Sequence, residues 1–108
     1  MAGLRYLLTS EIAARIEAAI IILAFVWFAL LGRSLLDFLG LSIIGCMLMS
    51  VEALNTAVED VVDKLSPEQS SFAKGAKDLG STAVFFMLLA GGLYVAANTA
   101  DAFGLIAY

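Results

Sequence analysis

"LLDFLGLSIIGCMLMSVEALNTAVEDVVDK", residues 35–64, decides how this chain is folded. Asp37 is the one charge before Val51, whereas Glu52, Glu59, Asp60 and Asp63 follow in quick succession. A helix over this segment is roughly 45 Å long at 1.5 Å per residue, and a bilayer's hydrocarbon is only about 30 Å thick. Residues 35–51 use roughly 25 Å of that length. The segment therefore reads as a membrane helix that runs on past the boundary, with Glu52 close to that boundary. At about 100° per residue, Glu52, Asn55, Thr56, Glu59 and Asp63 fall in one polar stripe, and Leu54, Val58, Val61 and Leu65 lie opposite.

The rest of the chain agrees with a membrane setting. Of its 108 residues 62% are hydrophobic and 15% charged, against roughly 25% charged in an average soluble domain; the mean hydropathy is +0.98. Two further apolar runs, at about 12–31 and 79–97, approach the ~20 residues needed to cross a bilayer. The expectation is one all-α integral membrane domain over 1–108, with helices at about 10–32, 35–64 and 67–98. Ser66, Pro67 and Gln69 read as the N-cap, first-turn proline and capping-box partner of the third helix. The start, "MAGLRYLLTSEIAARIE", lacks the ordered regions of a secretory signal, and none is expected.

Charge sets the orientation and removes several functions. Arg5, Arg15, Lys64, Lys74 and Lys77 fall on one side of the three spans and Arg33 on the other, so the N-terminus is expected in the cytoplasm. The net charge of −4 and the lack of a basic cluster argue against nucleic-acid binding. No histidine is present, which removes the usual general base and transition-metal ligand. Cys46 stands alone in an apolar run and reads as a small packing residue. Asp101 reads as a solvated terminus; Trp27, Tyr94 and Tyr108 read as packing or interfacial aromatics, and Gly91–Gly92 as a packing notch.

Ionisable groups inside a membrane helix are functional candidates. Glu52, Asn55 and Glu59 offer oxygen donors with no covalent nucleophile beside them, which suits a hard cation such as Mg²⁺. Glu11 and Arg15, spaced i, i+4, stand at the start of the first span, and Lys77 and Asp78 open the third. All these clusters fall at one membrane face. Carboxylates, an amide and a lysine at a lipid–water boundary are what phosphoryl transfer to a lipid hydroxyl requires. No P-loop and no G-x-G-x-x-G motif occurs.

"EALNTAVEDVVDKL" followed by "AKDLGSTAV" resembles the prokaryotic diacylglycerol kinases, with their E-x-x-N-[ST]-[AS]-x-E-x-x-x-D and A-K-D-x-[GA]-[SA] patterns. "GLRYLLTSEIAARIE" is also similar to the family's opening, although only Met1 and Ala2 precede "GLR", so the surface helix common in the family is expected to be short or missing. The resemblance implies a homotrimeric helical bundle of three transmembrane helices per protomer, with active sites shared between protomers, in the bacterial inner membrane with the site at the cytoplasmic face. It implies Glu52 as the general base and Glu11 and Glu59 as ligands of the Mg²⁺ carried by ATP. Asn55, Glu68, Gln69, Ser70, Lys77 and Asp78 would contact the nucleotide. Arg5, Arg15, Glu17, Glu52 and Ser81 would surround the lipid. Small residues such as Ala13, Ala14, Ala18 and Ala19 would admit close helix contacts.

The implied reaction moves the γ-phosphoryl group of ATP to diacylglycerol. The family's undecaprenol kinases are the alternative, although "KDLGSTAV" is closer to the diacylglycerol branch. A silent membrane subunit or a cation-conducting oligomer is a second class. A conduction path needs polar groups along a span, whereas residues 18–31 and 38–51 carry no charge.

Overall fold

The computed structural model describes residues 1–68 and 70–106. These form α1 (Ala2–Ser10), α2 (Ile12–Leu31), α3 (Leu35–Leu65) and α4 (Ser71–Ala102), with no strand among the described residues. The last three are long and apolar enough to cross a membrane.

The first departure from the sequence reading is α1. The first span was expected from about residue 10, with the surface helix ahead of it short or missing. The chain instead breaks at Glu11, whose backbone is extended (φ −119°, ψ 113°), and a separate helix precedes it. A helix this short is marginal alone and leaves no hydropathy signal. It is held from outside: Leu7 is buried, and Arg15 Nη1 donates to the carbonyls of Leu8 (3.1 Å) and Thr9 (3.2 Å) at its end.

The turn between α2 and α3 follows from local chemistry. Gly32 takes a left-handed φ of 69°, the Gly32 N–H donates to the Ala29 carbonyl at 3.1 Å, and the Arg33 N–H reaches Phe28 at 3.0 Å. This is a Schellman ending, for which glycine carries no Cβ penalty. Ser34 then caps α3: its hydroxyl accepts from the Asp37 N–H at 3.2 Å, and the Asp37 carboxylate accepts from the Ser34 N–H at 3.4 Å. A reciprocal pair of this kind satisfies two helix-end donors.

The second departure lies between α3 and α4. Ser66 does not open the third span. It closes α3, donating its N–H to the Val62 carbonyl at 2.8 Å. Ser70 is the cap of α4, accepting from the Ala73 N–H at 3.1 Å, and α4 runs to Ala102, past the expected end at 98. The Ser66–Pro67 signal misled because α3 persists through Leu65, leaving Ser66 at a helix end instead of a start. Gln69 lies outside the described residues.

α3 and α4 pack along much of their lengths and α2 lies against α3, while α2 and α4 barely touch. The gap is an apolar groove of about 380 Å³, lined by Ile21, Trp27, Leu48, Met87 and Gly91 among others. Leu23, Leu30, Leu79, Phe86 and Leu93 point outward, as a lipid solvent permits. The end of α3 is inverted relative to a soluble helix. Glu52, Asn55 and Thr56 face inward, while Leu54 and Leu65 are 67% and 75% exposed.

Candidate active site

The polar stripe of α3 reads correctly as one face, and tertiary packing turns it toward α2 and α4. Glu52 is 3% exposed and Glu17, one turn into α2, is 5% exposed. Their carboxyl groups meet across the α2–α3 contact. Neither joins an ion pair among the described residues. Glu17 Oε2, Asn55 Oδ1 and Thr56 Oγ1 are buried without a hydrogen-bond partner. Burying a polar oxygen without a partner costs roughly 1–3 kcal/mol by mutational measures. Three such oxygens, one of them on Glu17 itself, gathered around Glu52 mark this place as the least satisfied among the described residues, and such a place suits a group arriving from outside.

Asn55 Nδ2 donates to Glu59 Oε1 at 2.9 Å, which orients the carboxylate one helical turn further on. Glu59 is half-buried and lies among the charges of Glu11, Glu52, Asp63 and Lys77. Glu11 reaches this neighbourhood because it sits at the break between α1 and α2, where no helix continues around it. Glu11 and Glu59, the two carboxylates expected to hold a metal, lie near enough for their charges to repel. No group of three His, Cys, Asp or Glu suited to a metal ion occurs among the described residues. Any divalent ion here takes its other ligands from elsewhere.

The remaining expected residues are placed unevenly. Lys77 Nζ pairs with Asp63, tying α4 to the acidic stripe beside Glu59. Asp78, one residue on, turns away and pairs with Lys74 at 2.8 Å. Lys77 and Asp78 thus take separate partners, Asp63 and Lys74. Glu68, Lys74 and Lys77 line a small cleft of about 40 Å³ with Asp63 and Ser66, where α3 gives way to α4. The Ser70 hydroxyl is committed to the α4 cap. Ser81 and Arg5 are exposed. The Arg15 guanidinium donates to the end of α1, which offers carbonyls without helical partners.

Thr56, read on the stripe about 40° from Glu52, is buried as that angle implies. Other contacts escaped the sequence reading. Tyr6 and Asp60 could not have been paired, being 54 residues apart; the Tyr6 hydroxyl donates to Asp60 Oδ2 at 2.6 Å and holds α1 to α3. That acceptance by a carboxylate raises the Tyr6 pKa above 10.0. Asp101, expected as a solvated terminus, is engaged by Arg33 at 2.9 Å at the opposite end of the bundle.

The chain also matches a known family. The family described as Prokaryotic diacylglycerol kinase matches residues 1–98. A protein named Diacylglycerol kinase from Sinorhizobium sp is 38% identical over 89 residues, covering 82% of this chain and 65% of its own length. Proteins of the same name from Haemophilus influenzae and Escherichia coli (strain K12) are each 34% identical. They cover 80% and 81% of this chain and 73% and 71% of their own lengths, so the chain spans roughly two thirds of the curated relatives it matches. The matched region takes in α2, α3, most of α4 and every side chain of the buried polar stripe, and on that basis this membrane protein belongs to the prokaryotic diacylglycerol kinase family.

Proposed function

We propose that the chain is a membrane lipid kinase that moves the γ-phosphoryl group of ATP to the hydroxyl of diacylglycerol. The observation that carries this reading is Glu52. It is a carboxyl 3% exposed, on a helix long enough to cross a bilayer, met by Glu17 and flanked by oxygens without partners. Glu52 takes the proton as the lipid oxygen forms its bond to phosphorus, and the bond from phosphorus to the ADP oxygen breaks. General bases contribute about 10²–10⁴-fold in such a role.

The donor set fits Mg²⁺ arriving with the nucleotide. Two carboxylates, Glu11 and Glu59, would hold it, with phosphate oxygens and water filling the octahedron such an ion prefers. Bound there, the ion would neutralise charge on the phosphates. Asn55 orients Glu59 for that task, and Lys77 stands beside it as a fixed positive charge. The apolar groove between α2 and α4 is wide enough to take hydrocarbon. A homotrimer with sites shared between copies suits the outward apolar face of α3 at Leu54, Val58 and Val61, which one protomer leaves uncovered. The placement in a bacterial inner membrane rests on the family, and the cytoplasmic N-terminus rests on the basic residues.

The test is direct. Purified protein in detergent–lipid micelles is expected to consume Mg²⁺–ATP when diacylglycerol is supplied and to yield phosphatidic acid. Turnover on undecaprenol and not on diacylglycerol reassigns the acceptor within the family. Turnover on neither removes the kinase reading.

A further inference from the structure

We propose that Gly80 is a positioning residue, whose missing side chain holds the Asn55 amide against Glu59. Gly80 lies on α4 where that helix crosses the polar stripe of α3. A Cβ built on Gly80 would occupy the place of Asn55 Oδ1 and stand 3.1 Å from its Cγ. The Asn55 carboxamide therefore lies against bare α4 backbone. It is 9% exposed, Nδ2 donates to Glu59 at 2.9 Å, and Oδ1 has no partner. One hydrogen bond alone leaves an amide free to turn. Contact with Gly80 supplies the second restraint, and that contact exists only while position 80 has no side chain.

Alanine at position 80 removes this restraint by force. Two atoms cannot share the space, so one group must move. The obstacle is the far end of a side chain: the Asn55 Cα would sit at an ordinary 3.8 Å from the new Cβ. The amide yields and the α3–α4 packing does not. Turning the carboxamide takes Nδ2 away from Glu59 and frees that carboxylate from its orientation. Alanine is also the better helix former, which offsets the bond lost by the Asn55 amide, so the fold stays close to wild type in stability. Gly80 thus separates stability from metal handling, an effect that a packing role alone does not produce. This deepens the kinase reading and rests on it for the role of Glu59.

The experiment compares wild type with Gly80→Ala and with Gly75→Ala, whose Cβ would meet nothing within 4 Å on the same helix. Asn55 and Asn98 are the asparagines of the chain, so ¹⁵N-asparagine labelling resolves their side-chain amides directly. Gly80→Ala is expected to shift the Asn55 amide pair and leave that of Asn98 in place. It should keep or raise the melting temperature in micelles. It should also raise the Mg²⁺ concentration for half-maximal turnover about tenfold and shrink the thermal stabilisation given by Mg²⁺–ATP. Gly75→Ala should match wild type in all four. In an Asn55→Ala background, Gly80→Ala should add nothing to the Mg²⁺ requirement. An unmoved Asn55 amide overturns the proposal, as does a moved amide with an unchanged Mg²⁺ titration, or a full additional loss in the double variant. A wild-type protein with no response to Mg²⁺–ATP overturns the kinase reading and this role together, an outcome the amide spectrum tells apart from the others.

Discussion

The two ends of this bundle hold similar side chains and treat them in opposite ways. At one end Arg33, its side chain 10% exposed, meets Asp37 at 3.1 Å and Asp101 at 2.9 Å. Its Nε donates to Asn98 at 3.0 Å, Asn98 donates to the Tyr94 carbonyl at 3.0 Å, and the Tyr94 hydroxyl donates to the Asp37 carbonyl at 2.8 Å. Below them Phe28, fully buried, touches the rings of Phe38 and Tyr94 at 5.9 and 6.0 Å. Charge meets opposite charge, and the amide is used on both sides. At the other end Glu17 meets Glu52, and neighbouring oxygens are left without partners.

The difference separates a clamp from a site. A buried polar group that is fully paired fixes the elements that carry it. One left unpaired costs stability, and a fold that keeps several together keeps them for a ligand. Residue type alone does not make the distinction, because Asp and Asn occur at both ends. Gly40 shows how closely the clamp is packed: a Cβ there would overlap the Tyr94 hydroxyl. Gly80 plays the same geometric part at the other end, against an amide that serves the site.

The comparison can be broken most decisively at Glu52. Glu52→Gln is expected to lower turnover by about 10³-fold without lowering the melting temperature, since it removes a carboxyl that faces another carboxyl. A variant that keeps its rate would strip the unsatisfied end of its role. At the paired end Arg33→Ala is expected to cost about 2 kcal/mol, about thirtyfold in the folded population, because it strands two carboxylates at once. Thermal unfolding in micelles measures this, and turnover below the transition should stay near wild type. A loss of turnover with no loss of stability would move Arg33 from clamp to site.

Smaller effects sharpen the contrast. Glu59→Gln is expected to raise the Mg²⁺ requirement about tenfold while leaving the rate at saturating metal close to wild type; a superimposable Mg²⁺ titration removes Glu59 from the ligand set. Smallest is Tyr6→Phe, which deletes one exposed tie between α1 and α3. Because Asp60 raises the Tyr6 pKa above 10.0, the bond's contribution is complete below pH 10.0 and is lost as pH rises through the higher folded value. The stability difference between wild type and Tyr6→Phe should be constant at neutral pH and close above pH 10. A difference that persists in strong alkali would show that the hydroxyl acts through something other than this hydrogen bond.

Much of the candidate site was legible because helical periodicity is local. The stripe from Glu52 to Asp63 needed only 100° per residue to appear, and the long apolar runs announced the three spans. The break at Glu11 was not legible, since nothing in "TSEIAAR" demands an extended residue, and α1 depends on Leu7, Tyr6 and Arg15 finding partners elsewhere. The start of α4 was misjudged because two serines four positions apart carry the same capping chemistry, and where α3 stops decides between them. Arg33 and Asp101 are far apart in sequence, so their ion pair left no trace there.

Sequence by itself determined that this is a three-span helical membrane protein with its acids on one face of the second span. Length, hydropathy and angular spacing are properties of a single helix and need no neighbour. Only the tertiary structure decided which polar groups were satisfied. Whether Glu52 meets a cation or another carboxyl, and whether Asn55 has room against Gly80, depends on which helices pack together and in what register, and that is settled between helices.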